Sequence, residues 1–330
     1  MTRVVLANLV VARAPSGCGW IDDILDDLAS RYPCRTIVLQ PTADPARRVL
    51  AEVSALCHLP APGLPQVCSE RITLGAGRGS RDLLPGAVRP LLEADLPCVL
   101  WWAESPTGDD PLLRDLSRDA TRVLLDPPDA VDAGLLRQAL DPDQHPFARD
   151  VAWYGITRWR ELVAGLFDPP GAREALGRIA TVEVHALSGT VDHPPRAAAW
   201  LVAWLAGQLG WEPVARKQDT PGLIEATFRG PAGEVAARIA TTAADPCAMP
   251  LLSGIALTTG DGRRFRVERP DPAGAEIRIT EGRPGQDDQV RTLTAPAADR
   301  AKRLAAALES TRDDPPFHAA LPHALWLLGA

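Results

Sequence analysis

Apolar residues change their spacing about half-way along this chain. In the first 125 residues, short unbroken apolar runs alternate with stretches of helical period. Residues 3–11 form a β-rich run, and Ile21, Ile24, Leu25 and Leu28 then recur at helical spacing. Residues 36–39, 52–57 and 67–74 read as strands, 81–93 as a helix, 98–102 as a buried strand after Pro97, and 123–125 as a last short strand. Asp110-Pro111 marks a helix start, an acidic cap followed by Pro in the first turn. Strands interleaved with helices predict an α/β N-terminal domain built on an open mixed sheet.

Residues 126–150 are rich in Asp and Pro, with room for one short helix at 130–139. The domain boundary is placed there, giving domains at 1–145 and 146–330. A helix at 153–167 opens the second half. Residues 181–187 read as a strand and 197–209 as a helix apolar nearly all round, hence buried. Residues 223–228, 234–240, 255–259, 263–268 and 276–279 are short alternating strands, and Thr259-Gly260-Asp261-Gly262 is a hairpin turn. Helices at 297–308 and 316–328 close the chain. This predicts an α+β C-terminal domain, a meander-like, largely antiparallel sheet covered by helices.

Composition narrows the function. A net charge of −7 gives no basic field for nucleic acid or an anionic membrane. Lys217 and Lys302 are the only lysines, so the abundance of Arg reads as base composition. The longest clean apolar run, 197–206, is half of the ~20 residues a membrane span needs. No leader segment is expected. Cysteines at 18, 34, 57, 68, 98 and 247 show no zinc-type spacing and read as reduced thiols, which points to the cytoplasm.

Few motifs carry chemistry. Gly75-Ala76-Gly77-Arg78-Gly79-Ser80 follows a strand and precedes a helix, the setting in which backbone N–H groups cradle an anion. Gly75, Gly77, Arg78, Gly79 and Ser80 are the candidate anion contacts, against the plainer reading of a flexible connection. Cys57-His58 with Cys68 would be a metal cluster only against strand alternation, so no metal is expected. Asp22, Asp23, Asp26 and Asp27 read as a solvated helix face. Trp200 and Trp204, one turn apart, read as a core stripe. No catalytic residue set and no cofactor motif is visible.

The most informative stretch is Leu96-Pro97-Cys98-Val99-Leu100-Trp101-Trp102. Adjacent residues of a strand point to opposite faces, so one Trp is expected in the core and the other in a groove or against a partner. Trp102, Glu104, Trp159 and Arg160 are the candidate partner contacts, because Trp and Arg are enriched at interface hot spots.

Blocks at 51–58, 67–74, 95–102 and 122–126, then 152–168, 200–211 and 315–325, occur in an order that resembles the glucose-6-phosphate dehydrogenase assembly protein family, OpcA. That resemblance implies a non-catalytic protein that binds glucose-6-phosphate dehydrogenase and favours its active oligomer. In photosynthetic bacteria it also implies a link to thiol redox state. The chain departs from the family at Cys68-Ser69, where a double Cys is common, and at Ala103-Glu104. The alternative is a sugar-phosphate or nucleotide sensor using the 75–80 loop.

Overall fold

A computed structural model describes residues 5–14, 20–58, 67–108, 110–193, 195–245, 249–297, 299–310 and 313–330. The chain divides into two compact units, 1–151 with 300–311 and 152–299 with 312–330.

The first unit contains β1 (Ala7–Arg13), α1 (Trp20–Arg31), β2 (Cys34–Thr42), β3 (Val49–His58), β4 (Val67–Gly77), α2 (Leu84–Val88), β5 (Cys98–Ala103), α3 (Pro111–Ser117), β6 (Arg122–Leu125), α4 (Ala133–Ala139) and β7 (Ala148–Asp150). The sheet order is β3-β4-β2-β1-β5-β6-β7. Every neighbouring pair is parallel except β3 with β4. Order reverses at β1, the arrangement of a doubly wound fold in which right-handed crossovers put helices on both faces. Strands covered on both faces are apolar without alternation. All six residues of β5 are accordingly buried.

α1 buries Ile21, Ile24, Leu25 and Leu28, the apolar stripe read from the sequence. Its acidic side is ion-paired: Asp22 with Arg13 at 2.8 Å, Asp26 with Arg71 at 2.5 Å and Asp27 with Arg31 at 3.1 Å. Asp110 caps α3 by accepting from the N–H groups of Leu112 and Leu113. The single helix expected at 81–93 is broken into a 3-10 segment at Arg78–Leu83, α2, and a second 3-10 turn at Arg89–Leu91. Pro85, Gly86 and Pro90 explain the break, since Pro lacks an N–H and Gly is a poor helix former. β7 lies inside the stretch expected to be linker. Its three residues are too short to show a period, and two of them, Arg149 and Asp150, are buried charges.

The second unit follows with α5 (Val151–Gly155), α6 (Thr157–Gly165), α7 (Arg173–Leu176), β8 (Ile179–Ser188), α8 (Arg196–Leu209), β9 (Glu212–Thr220), β10 (Leu223–Gly230), β11 (Gly233–Ala243), β12 (Leu251–Thr259), β13 (Arg264–Glu268), β14 (Glu276–Gly282) and β15 (Gln289–Thr294). α9 (Arg300–Glu309) belongs to the first unit and packs on α1, while α10 (Pro315–Leu328) belongs to the second. Arg122 anchors α9 by donating to the terminal carbonyls of Ala307 and Leu308, where the helix dipole favours a cation.

The second sheet runs β15-β14-β13-β12-β8-β11-β10-β9 and is antiparallel except for β8 with β11. It is therefore not a simple meander: β8 sits in the middle, between strands that follow it. The edge strands β9 and β15 escaped the sequence reading because neither buries one face, so neither alternates. The helix expected at 153–167 splits at Ile156, whose φ of −97° and ψ of 1° leave the helical region. α8 crosses β8, β11 and β12, and α10 packs along α8. Gly207 sets that approach, since a Cβ there would lie 2.7 Å from the Ala319 carbonyl oxygen.

Candidate functional site

A doubly wound sheet offers a crevice at the carboxyl ends of its strands, where the order reverses. Among the described residues that crevice, at the ends of β1, β2, β4 and β5, is filled. Arg13, Leu39, Arg81, Leu84, Glu104 and Leu112 close around a void of about 10 Å³, barely one water. The plug is an ion pair: Arg81 Nη2 donates to Glu104 Oε1 at 2.6 Å, with Asp110 at 3.9 Å. Burial pushes the Glu104 carboxyl above its ordinary value, and the Arg81 guanidinium pulls it back without cancelling the rise.

Beside the plug lies an open cleft of about 610 Å³, lined in part by Arg78, Gly79, Asp82, Ser105, Thr107 and Asp115. With Glu104 and Asp110 it carries four carboxylates against Arg78 and Arg81, which disfavours an anion. The glycines of the 75–80 segment have structural explanations. Gly75 and Gly77 lie within β4 rather than in a flexible connection. A Cβ on Gly77 would fall 2.1 Å from the Asp44 carbonyl oxygen, and one on Gly75 3.0 Å from Thr42 Cγ2. The buried Ser80 hydroxyl donates to the Ala46 carbonyl at 3.2 Å, and the Gly79 carbonyl accepts from Arg47 at 3.0 Å. Arg78 stands exposed at the rim of the cleft.

The Trp pair departs from expectation. Trp101 and Trp102 are both wholly buried, because both faces of β5 are covered. Trp101 packs on Trp20 of α1, at 6.1 Å between ring centroids, and the Arg300 guanidinium covers Trp20 from α9. Trp102 points to the opposite face. It offers no surface to a partner, and Glu104 is committed to Arg81.

Trp159 and Arg160 lie in the second unit, Trp102 and Glu104 in the first. Trp159 is 8% exposed. Arg160 stacks its guanidinium 3.7 Å over the ring of Trp153. Trp153 in turn meets Trp200 and Phe317 edge-on, and those two stack at 4.9 Å. The Trp153 indole donates to Asp314 Oδ2 at 2.7 Å, while Asp314 Oδ1 caps α10 at the Phe317 N–H. Burial lowers the Arg160 pKa, and the nearby Asp314 opposes that shift. The partner roles of Trp153 and Asp314, far apart in sequence, had no local signal.

Cys34 and Cys98 are buried free thiols, pushed by burial up to about 12 and about 11. Cys57 and Cys68 face each other in the β3–β4 register. Side chains of Cys57, His58 and Cys68, the metal cluster considered from sequence, lie outside the described ones. Among the described residues no group of three or more His, Cys, Asp or Glu is placed to hold a metal ion. No helix among them is long and apolar enough to cross a membrane.

Two family models match the chain: the glucose-6-phosphate dehydrogenase subunit N-terminal domain over residues 25–137, and the corresponding C-terminal domain over residues 146–321. The chain belongs to the OpcA family. Among curated relatives, the OxPP cycle protein OpcA of Synechococcus elongatus is 30% identical over 191 residues, covering 57% of this chain and 42% of the relative. The Nostoc punctiforme protein of the same name is 31% identical over 201 residues, 60% of this chain and 42% of the relative. The matches thus span about two fifths of the length of these OpcA proteins.

Among the solved structures of similar fold are oxidoreductases. The 3-ketoreductase KijD10 from Actinomadura kijaniata aligns with a TM-score of 0.54 at 11% identity, over 97% of this chain and 96% of that one. An oxidoreductase from Sinorhizobium meliloti gives 0.54 at 12% identity, over 98% and 96%. At such identity the likeness is one of fold alone.

That fold implies a dinucleotide, and the residues here do not fit one. A dinucleotide fingerprint needs a third glycine after G-x-G, to pack the helix on the strand. In Gly17-Cys18-Gly19-Trp20-Ile21-Asp22, Asp22 holds that place; residues 15–19 lie outside the described ones. Asp22 and Asp23 then put negative charge in the first turn of α1, where a pyrophosphate would have to bind. β2 ends Gln40-Pro41-Thr42, with no acid for a ribose. The crevice itself is occupied by the Arg81–Glu104 pair.

Proposed function

We propose that this OpcA-family chain is a non-catalytic partner of glucose-6-phosphate dehydrogenase, acting in the oxidative pentose phosphate pathway in the cytoplasm. The family match across both halves carries this reading. The Arg81–Glu104 pair supports it, since among the described residues it closes the switch-point crevice where a doubly wound fold would take a ligand. Mechanistically, the chain binds the active oligomer of the dehydrogenase more tightly than the inactive form. It shifts the equilibrium by that difference in affinity and no more.

The experiment is a titration of the host's dehydrogenase with this protein, read as rate and as oligomer mass. A saturable rise in activity at a fixed stoichiometry is expected. An unchanged rate and mass at excess, or turnover of glucose 6-phosphate by the chain alone, would overturn the reading.

A further inference from the structure

The second sheet is covered by helices on one face only. Val182, Ala237, Ala226 and Leu257 point into that layer, while their strand neighbours point away from it. We propose that the uncovered face is where a second copy of this chain docks, sheet face against sheet face. The inference does not depend on the dehydrogenase.

The charge pattern carries it. Glu183 of β8, Arg238 of β11, Glu225 of β10 and Lys217 of β9 are successive register partners, so they form one row across four strands. All four are exposed, and their signs alternate. The row is antisymmetric about the line between β11 and β10. A two-fold axis along that line, parallel to the strands, reverses the strand order and keeps the register. It lays Glu183 against the partner's Lys217, and Arg238 against the partner's Glu225, each contact occurring twice. Glu183, Arg238 and Glu225 have no ion pair among the described residues; Lys217 pairs with Asp219 at 2.8 Å, an exposed bridge worth little that the contact with the partner's Glu183 replaces.

The next row is built for close approach. Thr181, Ala236, Thr227 and Ala215 are register partners two residues along. The same axis sets Thr181 against the partner's Ala215 and Ala236 against the partner's Thr227. Stacked sheets lie about 10 Å apart, and small residues on both sides permit that spacing. Exposed Ala is a poor strand residue unless something packs on it. A depression of about 480 Å³ along these strands, lined by both rows, gives room for the long Arg238 and Lys217 side chains of the second copy.

The test is native mass and sedimentation of the full chain at micromolar concentration, in low and high salt. The expected mass is twice the 35.3 kDa of one chain, with dissociation favoured by salt. Glu225→Arg should weaken the dimer about tenfold or more, because it sets two like charges together twice. Adding Arg238→Glu should restore it, while thermal melting shows each variant folded. A monomeric wild type would overturn the proposal, as would a Glu225→Arg dimer as tight as wild type. A monomer whose Glu225→Arg variant loses only dehydrogenase binding would assign the face to that enzyme instead. Activation of the dehydrogenase is read separately, so either proposal can fail alone.

Discussion

The two sheets of this molecule treat their faces oppositely. In the first unit both faces are covered, so neighbouring residues such as Trp101 and Trp102 are both wholly buried. In the second unit one face is covered, so Ile224, Ala226 and Phe228 are buried while Glu225 between them is exposed. An apolar residue next to another means different things in the two settings. In a doubly wound sheet it is core twice over; in a one-sided sheet it would be a docking surface.

The sharpest way to break this comparison is Trp102→Ala, which should cost about 3–5 kcal/mol by urea unfolding, the price of a large core cavity. Thr227→Ala on the open face should stay within about 0.5 kcal/mol. Similar losses at the two sites would erase the distinction.

Arg81→Ala should cost about 2 kcal/mol, less than a fully buried pair because Arg81 is one-third exposed. It strands the Glu104 carboxylate, whose pKa is already raised by burial. A carboxyl with a raised folded-state pKa contributes its stability below the unfolded value and loses it as pH rises through the folded one. The variant's deficit should therefore shrink toward acid pH, which unfolding at pH 4.5 and 8 would read. Equal deficits at both would show that Glu104 is not the stranded group. The plug is tested on the wild type, where titration with a dinucleotide followed by fluorescence should show no binding.

Gly207→Ala tests the helix layer that covers only the second sheet. Overpacking against the Ala319 carbonyl should outweigh the roughly 1 kcal/mol that Ala gains in a helix, for a net loss of about 1 kcal/mol. A stabilised variant would mean that α8 and α10 separate easily.

The smallest effect concerns thiols. With folded-state values of about 12 and about 11, Cys34 and Cys98 stay protonated where an unfolded thiol ionises. Their contribution to stability is complete below pH ~9 and is lost as pH rises toward those values. Native protein at pH 8 should alkylate slowly at both, and denatured protein should give six free thiols without reductant. Two thiols protected until reductant is added would point to the Cys57–Cys68 pair, whose strands place them opposite each other.

Much of the fold was legible because burial leaves a period. The stripe of α1, the all-round apolar α8 and the alternation in β10 and β11 each record what covers them. The Asp110-Pro111 start records a local hydrogen bond. The missed strands share one cause: β7, β9 and β15 are short or exposed, so packing wrote no pattern into them. The candidate contacts were less legible. Trp102, Glu104, Trp159 and Arg160 were chosen for chemistry, but Glu104 meets Arg81 only across 23 residues of chain, and Arg160 turns back over Trp153 of the preceding short helix.

By itself, then, the sequence determined the kind of each half: strands interleaved with helices in an open mixed sheet first, alternating strands under buried helices second. It also carried the ordered blocks that mark the family. These are short-range properties, set by side-chain period, caps and turn residues within a few positions. Only the tertiary structure decided that the switch-point crevice is filled, that both Trp of the pair are core, and that Glu183, Arg238, Glu225 and Lys217 form one row. Those facts depend on which strands become neighbours and in what register, a choice made by contacts between residues tens of positions apart, which no local pattern encodes.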